Sequence, residues 1–166
     1  MAVPVPNDRE LHRIAVTGII WKEENGVRRY LVTKRASHKK AWPGKWTVPG
    51  GGLEVSDYQS LAPSYQTGGN PQWYGVLERA LRREIREEVG LEVEDIRYLL
   101  DLAATHEGLA PLLVLSMYCR YVSGEVELDE DATEFAWVTA AEVGQYDFIA
   151  GIADEIREVE KRFAQK

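Results

Sequence analysis

Three carboxylates in the run Arg83-Glu84-Ile85-Arg86-Glu87-Glu88-Val89-Gly90-Leu91 occupy what the spacing predicts to be the last two turns of a helix. The negative end of the helix dipole favours Lys or Arg there, and a Glu costs roughly 0.3 to 1 kcal/mol even before mutual repulsion. At about 100° per residue, Glu84, Glu87 and Glu88 fall within about 100° of one another, beside an apolar stripe of Leu77, Leu81, Ile85 and Val89. Hard oxygen ligands at the edge of a buried face suit Mg²⁺ or Mn²⁺, which keep several waters and are completed by substrate phosphates. The plainer alternative is a solvated acidic face tied by the i,i+4 pairs Arg83–Glu87 and Glu78–Arg82.

The preceding segment favours the metal. Trp46-Thr47-Val48-Pro49-Gly50-Gly51-Gly52-Leu53-Glu54 reads as a short strand ending in a glycine turn, which lets backbone approach closely and offers a carbonyl to a ligand. Followed by the acidic helix, it resembles the signature of the Nudix hydrolase family: glycine, five residues, Glu, seven residues, Arg-Glu, an aliphatic, any residue, Glu-Glu, any residue, Gly, an aliphatic. Gly51 opens that pattern, and Arg83, Glu84, Ile85, Glu87, Glu88, Gly90 and Leu91 close it without a gap.

The chain departs from the pattern in one place. Asp57 stands where the family has its first Glu, and the spacer from there to Arg83 is longer by roughly 18 residues. The insertion spans residues 55–75, and its Gly, Pro, Ser, Gln and Asn content predicts a loop. Loops beyond about 12 to 15 residues are usually functional lids or disordered. Tyr58, Tyr65, Trp73 and Tyr74 could stack on a base, which makes Tyr58, Trp73 and Tyr74 substrate-binding candidates, or could pin the loop to its own domain. The role of the first Glu stays open between Asp57, Glu54 and neither.

The resemblance implies Glu84, Glu87 and Glu88 as metal ligands, with the carbonyl of Gly50 adding an oxygen and Arg83 orienting a carboxylate through its guanidinium fork. It leaves the general base open among Glu84, Glu130 and Glu134, the latter two from the run Asp129-Glu130-Asp131-Ala132-Thr133-Glu134. Divalent ions near a phosphate neutralise developing charge and activate a water for in-line attack. The expected activity is a Mg²⁺-dependent pyrophosphohydrolase acting on a nucleoside diphosphate-linked substrate, foremost a nucleoside triphosphate, with Mn²⁺ as the other candidate ion. The alternative is a non-catalytic nucleotide-sensing module, which loss of the metal glutamates would mark; all three are present. Basic residues cluster at Lys34-Arg35-Ala36-Ser37-His38-Lys39-Lys40, where Arg35 and Lys39 could meet a polyphosphate. No Gly-x-Ser-x-Gly elbow or Gly-x-x-x-x-Gly-Lys-Ser/Thr loop is present, which excludes serine hydrolase and P-loop chemistry.

Several elements must hold these groups. Arg13 to Trp21 and Tyr30 to Lys34 are β-branched or aromatic runs around Glu24-Asn25-Gly26, a hairpin signal. A helix is predicted from about Val76 to Val89, stopped by Gly90. Strands follow at Val93 to Leu102, Pro111 to Val122 and Glu134 to Val138, then a short helix at Ala140 to Tyr146. Ala103 to Ala110 reads as a turn near the site. Ile152, Ile156, Val159 and Phe163 mark a closing amphipathic helix within Ile149 to Phe163. This order predicts an α+β fold, and the family resemblance implies an α/β/α sandwich with a mixed β-sheet. Trp46 and Trp137 are expected in the core.

Composition agrees with one domain over residues 1–166, with residues 1–11 as an N-terminal extension: 166 residues at 45% hydrophobic content suffice for one core and not two. No apolar run of about 18 residues exists to span a membrane, and the start lacks a basic region followed by an apolar stretch, so a cytoplasmic protein is expected. Cys119 is the only cysteine and is expected to be a buried, inert thiol. A net charge of −7 argues against nucleic-acid binding by phosphate neutralisation and leaves a small nucleotide as the partner, with a homodimer common in the family.

Overall fold

A computed structural model describes residues 11–105 and 110–165. Strands β1 (Arg13–Glu24) and β2 (Val27–Arg35) form the expected antiparallel hairpin. Its turn, Asn25-Gly26, has both residues at positive φ, 54° and 75°, as the two-residue hairpin turn matching strand twist requires. The two strands pair directly only from Trp21↔Tyr30 to Glu24↔Val27. Beyond that they part, and short strands line the split: β3 (Trp46–Thr47) pairs with β2, and β4 (Gly50–Gly52) pairs with β1.

The glycine run expected as a turn is therefore a strand. Its lack of side chains explains the difference, because a Cβ on Gly50 would lie 2.2 Å from the Val16 carbonyl oxygen. Gly50 also sits at φ 154°. Only glycine fits so close to β1 in that conformation.

Helix α1 (Val76–Val89) has the expected bounds, and Gly90 ends it at φ 69° with its N–H on the Arg86 carbonyl. Strands β7 (Glu92–Ala104) and β8 (Leu112–Ser123) extend the sheet; β8 runs parallel to β1 from Arg13↔Leu112 to Trp21↔Arg120, and β7 runs antiparallel to β8. Strand β9 (Ala132–Val138) covers the other side of β2. Helix α2 (Ile152–Ala164) closes the fold.

Alternation along the strands separates two cores. Val16 and Ile20 of β1, Leu31 of β2, and Met117 and Cys119 of β8 pack under Ala80, Leu81, Ile85 and Val89 of α1. Ile19, Tyr30, Val32 and Tyr118 point the other way, against Ile152, Ile156 and Val159 of α2. A mixed sheet with one helix on each face is the expected sandwich. Leu81 and Ile85 are fully buried, each worth roughly 1.5 to 3 kcal/mol. Gly18 lets α1 settle there, since a Cβ at that position would meet Leu81 Cδ1 at 3.0 Å; Leu81→Asp would break this layer. Trp46 and Trp137 are half-buried at the margins of the two cores. Cys119 is fully buried, and burial pushes its thiol up to about 12.

The inserted segment is more ordered than a loop. A 3₁₀ turn at Val55–Asp57 is followed by a hairpin of β5 (Tyr65–Thr67) and β6 (Asn70–Gln72), which among the described residues pair only with each other. Gly68 and Gly69, at φ 57° and 81°, supply its turn. The short helix expected at Ala140 to Tyr146 shrinks to a 3₁₀ turn, Val143–Gln145. Of the segment expected as a turn near the site, Ala103 and Ala104 end β7, and residues 106–109 lie outside the described residues, as do residues 1–10 of the N-terminal extension. Among the described residues no helix is long and apolar enough to cross a membrane.

Candidate active site

The 3₁₀ turn that opens the insertion aims Asp57 at Arg83, in the third turn of α1. Arg83 Nε donates to Asp57 Oδ1 at 2.7 Å and Nη2 to Oδ2 at 3.2 Å, while Nη2 also donates to the Gly52 carbonyl at 2.9 Å. Asp57 Oδ2 further accepts the Glu54 N–H at 2.8 Å. The Asp57 side chain is 2% exposed. The Arg83 guanidinium, with help from the Glu54 N–H, holds its carboxyl below the usual carboxylate range, and Arg83 is raised in turn, chiefly by Asp57. Glu54 instead accepts from Ser56 at the exposed surface. Of the choices open in the sequence, Asp57 takes the place beside Arg83.

The other arm of Arg83 arranges the glutamates. Nη1 donates to Glu84 Oε1 at 2.8 Å and to Glu87 Oε2 at 3.1 Å. Glu84 lies against β4, where a Cβ on Gly51 would stand 2.3 Å from its carboxyl carbon. Burial raises its pKa, opposed by Arg83. Glu88 accepts the Gly50 N–H at 2.9 Å and is pushed up to about 7 by burial, with Glu84, Asp129 and Asp131 adding repulsion. Glu87 is 60% exposed and held by Arg83.

This donor set fits a hard divalent cation. Buried carboxylates without cationic partners must hold a proton or a metal, and Glu88 has only one backbone N–H among the described residues. No three acidic, His or Cys side chains among the described residues already converge closely enough to hold an ion alone. Two carboxylates with backbone, water and phosphate oxygens suit Mg²⁺ or Mn²⁺.

Glu84 and Glu88 line a cavity of about 670 Å³ that passes through the split between β1–β4 and β2–β3. Arg35, Lys39 and Gly50 line it too, so five of the expected site residues meet there. Arg35 Nε donates to the Ala41 carbonyl at 3.0 Å, and Lys39 Nζ pairs with Asp131, whose carboxyl is lowered mainly by that contact.

The other expected residues lie elsewhere. Arg83 and Glu87 stand behind the lining. Tyr58 packs on Trp73 with centroids 5.3 Å apart, Tyr74 on Tyr65 at 5.2 Å, and Trp73 Nε1 donates to the Leu61 carbonyl at 3.0 Å. Tyr58, Trp73 and Tyr74 thus meet other rings of the insertion at a tilt and do not line the cavity, with Tyr74 left exposed. Glu130 is exposed and outside the lining, and Glu134 faces outward on β9, paired with Lys34 at 2.7 Å. Asp129 and Asp131 from the same run line the cavity instead. Residues 130 and 131 form a turn, closed by the Asp131 N–H on Asp129 Oδ1 at 2.9 Å, and this turn separates 129 and 131 from 130.

Two more lining residues escaped the sequence reading. Trp42 stands half-exposed at φ 54°, a conformation rare for a bulky residue, and nothing local announces it. Glu155 had a signal: it falls on the apolar stripe of α2 between Ile152 and Val159. It is 6% exposed and accepts the Ser116 hydroxyl at 2.5 Å. Burial raises its pKa.

Comparison with known proteins places this geometry. The NUDIX domain matches residues 11–161. The chain is 29% identical over 129 residues to the nucleoside triphosphatase NudI of Escherichia fergusonii, covering 71% of this chain and 78% of that protein. It is 29% identical over 136 residues to NudI of Enterobacter sp., covering 75% and 82%. Among solved structures, the NUDIX domain of Shewanella oneidensis NrtR complexed with ADP ribose superposes with a TM-score of 0.71 at 14% identity, covering 96% of this chain and 94% of that one. The MutT protein from Methanosarcina mazei gives 0.65 at 20% identity, covering 92% and 95%.

Proposed function

This chain belongs to the NUDIX family, and we propose that it is a cytoplasmic, Mg²⁺-dependent pyrophosphohydrolase of a nucleoside triphosphate or related nucleotide. One observation carries the reading: the half-buried carboxylates Glu84 and Glu88 share a cavity with Arg35 and Lys39. Anionic ligands for a cation thus sit beside side chains that suit phosphate oxygens. The naming of the NudI relatives as nucleoside triphosphatases supports the substrate class.

In this reading Glu84, Glu88 and the Gly50 carbonyl would hold the ion, with Glu87 joining after turning from Arg83. Bound Mg²⁺ would neutralise charge on the phosphates and lower the pKa of an attacking water. Arg83 accounts for one Glu84 oxygen, Oε1. Oε2 is left to take the proton of a water that attacks phosphorus as the bond to the leaving phosphate oxygen breaks. Arg35 and Lys39 orient the phosphates. Asp57 keeps Arg83 in place and touches no reacting atom.

The test is phosphate and pyrophosphate release across nucleoside triphosphates, nucleotide sugars and dinucleoside polyphosphates, with and without Mg²⁺, for the wild type, E84Q, E87Q and E88Q. Metal-dependent turnover of one class, lowered at least a hundredfold by E84Q and E88Q, is expected. Nucleotide binding with no turnover across the panel would overturn the enzyme reading in favour of a sensor.

A further inference from the structure

The insertion hairpin presents a surface that is open and uncharged. Residues 58–77 form the longest stretch of the chain without Asp, Glu, Lys or Arg, although 28% of the chain is charged. Every residue from 59 to 72 is exposed. Tyr65 and Tyr74 stand side by side, 61% and 63% exposed, and Leu61 is 43% exposed. Interface cores enrich Tyr and Trp and shed Lys, Glu and Asp in this way. Strands β5 and β6 have no other strand beside them among the described residues, and both are exposed along their whole length. A lone two-stranded hairpin is marginal in water, so this one gains from being covered.

Its two outer edges differ. Pro71 has no N–H, so Gln66↔Pro71 cannot exchange two ladder bonds. By alternation the exchanging pairs are Tyr65↔Gln72 and Thr67↔Asn70. Gln66 and Pro71 therefore turn their backbone groups outward. On β6 the proline closes the edge to further pairing. On β5 the N–H and carbonyl of Gln66 face an open edge, with no charge or proline to guard it.

We infer that the chain forms a twofold homodimer through this hairpin, with β5 pairing antiparallel to β5 of a second copy so that the two Gln66 residues exchange N–H···O=C bonds. That register sets Tyr65 opposite Thr67 of the second copy and covers its open ring. Charge selects the occupant. A twofold interface lays a patch against itself, so any charge near the axis meets its like. A chain of net charge −7 meets itself at least cost through its longest uncharged surface. The nearest acid in the insertion, Asp57, is paired with Arg83 at the hairpin's base. A standard interface takes about 20 to 30 residues a side, and the hairpin supplies fewer, so the dimer is a reversible one. It is independent of the hydrolase reading above.

The experiment is sedimentation velocity on the full chain from about 1 to 500 μM, for the wild type, Q66P, Y65K and a deletion of residues 58–75. Q66P removes the donor that faces the second copy and none that holds the hairpin, as Pro71 does on β6. Y65K places like charges near the axis. The wild type should pass from monomer to dimer across the range. Q66P and Y65K should each raise the dissociation constant roughly tenfold or more, and the deletion should sediment as a monomer throughout. A wild type that stays monomeric would overturn the inference, as would a dimer that persists in the deletion. Loss of the dimer in the deletion with Q66P unchanged would overturn the β5 pairing. Circular dichroism checks that each variant is folded; should Q66P not fold, Y65K and the deletion carry the same comparison.

Discussion

Asp57 Oδ1 lies 2.7 Å from Arg83 Nε across 26 positions of sequence. The pair closes the base of the insertion, so the hairpin of β5 and β6 leaves and re-enters the fold without separating the two halves of the motif. Arg83 then spreads to the Gly52 carbonyl, Glu84 and Glu87, linking the turn, the glycine strand and the acidic helix.

Breaking that link should cost both stability and chemistry. Asp57→Ala leaves Arg83, itself about a quarter exposed, without its main partner. We expect a loss of about 2 kcal/mol, discounted from the full penalty for a buried pair because of that exposure, and at least a tenfold fall in kcat as Glu84 loses its fixed position. Urea unfolding and steady-state kinetics check this. A variant with wild-type kcat would mean the guanidinium does not position Glu84.

Removing the insertion should be tolerated. Deleting residues 58–75 joins Asp57 to Val76 and leaves seven residues before Arg83. The insertion aromatics pack on one another and do not line the cavity, so we expect a folded protein with kcat/KM within tenfold of wild type. A folded deletion variant that has lost activity would show that the hairpin contributes to the site.

Gly51→Ala should separate activity from stability. The three atoms nearest the new methyl all belong to the end of the Glu84 side chain, at 2.3 to 2.5 Å, and that flexible group can swing away. We expect a Tm within a few degrees of wild type and a fall in turnover of at least tenfold, since the displaced carboxylate is the one proposed to bind metal and take a proton. Retained turnover would remove Glu84 from that role.

Metal-free stability should fall as pH rises through neutrality. Glu88 is pushed from 4.5 up to about 7 in the folded chain, so its contribution is fully present below about 4.5 and is lost as pH rises through about 7, worth about 3 kcal/mol. Glu84 and Glu155 shift in the same direction. Asp57 shifts the other way, and its contribution is lost only as pH falls below its ordinary value of 3.8. The metal-free Tm should therefore be higher at pH 5 than at pH 8, with E88Q removing most of the difference. A flat profile in the wild type would show that Glu88 is not held protonated by burial.

Much of this architecture is legible locally. Asn25-Gly26 specifies the first hairpin through its positive φ values, Gly90 ends α1 for the same reason, and the stripe of Leu77, Leu81, Ile85 and Val89 gives that helix its buried face. The motif glutamates are equally visible, because their types and spacing carry the chemistry. Tertiary structure decided what depends on distant partners. Gly50 to Gly52 have no side-chain pattern to betray a strand, and pairing with β1 makes them one. Aromatic rings suited to stacking on a base pack at a tilt against each other once a hairpin brings them together. Which acid of Asp129 to Glu134 faces the cavity follows from how the approach to β9 docks beside β2, and Glu155 becomes part of the site only because α2 lays it over Ser116. Turn chemistry and periodicity act over a few residues and are written in the chain. The direction a side chain faces, and what it meets there, is set by packing between elements far apart in sequence.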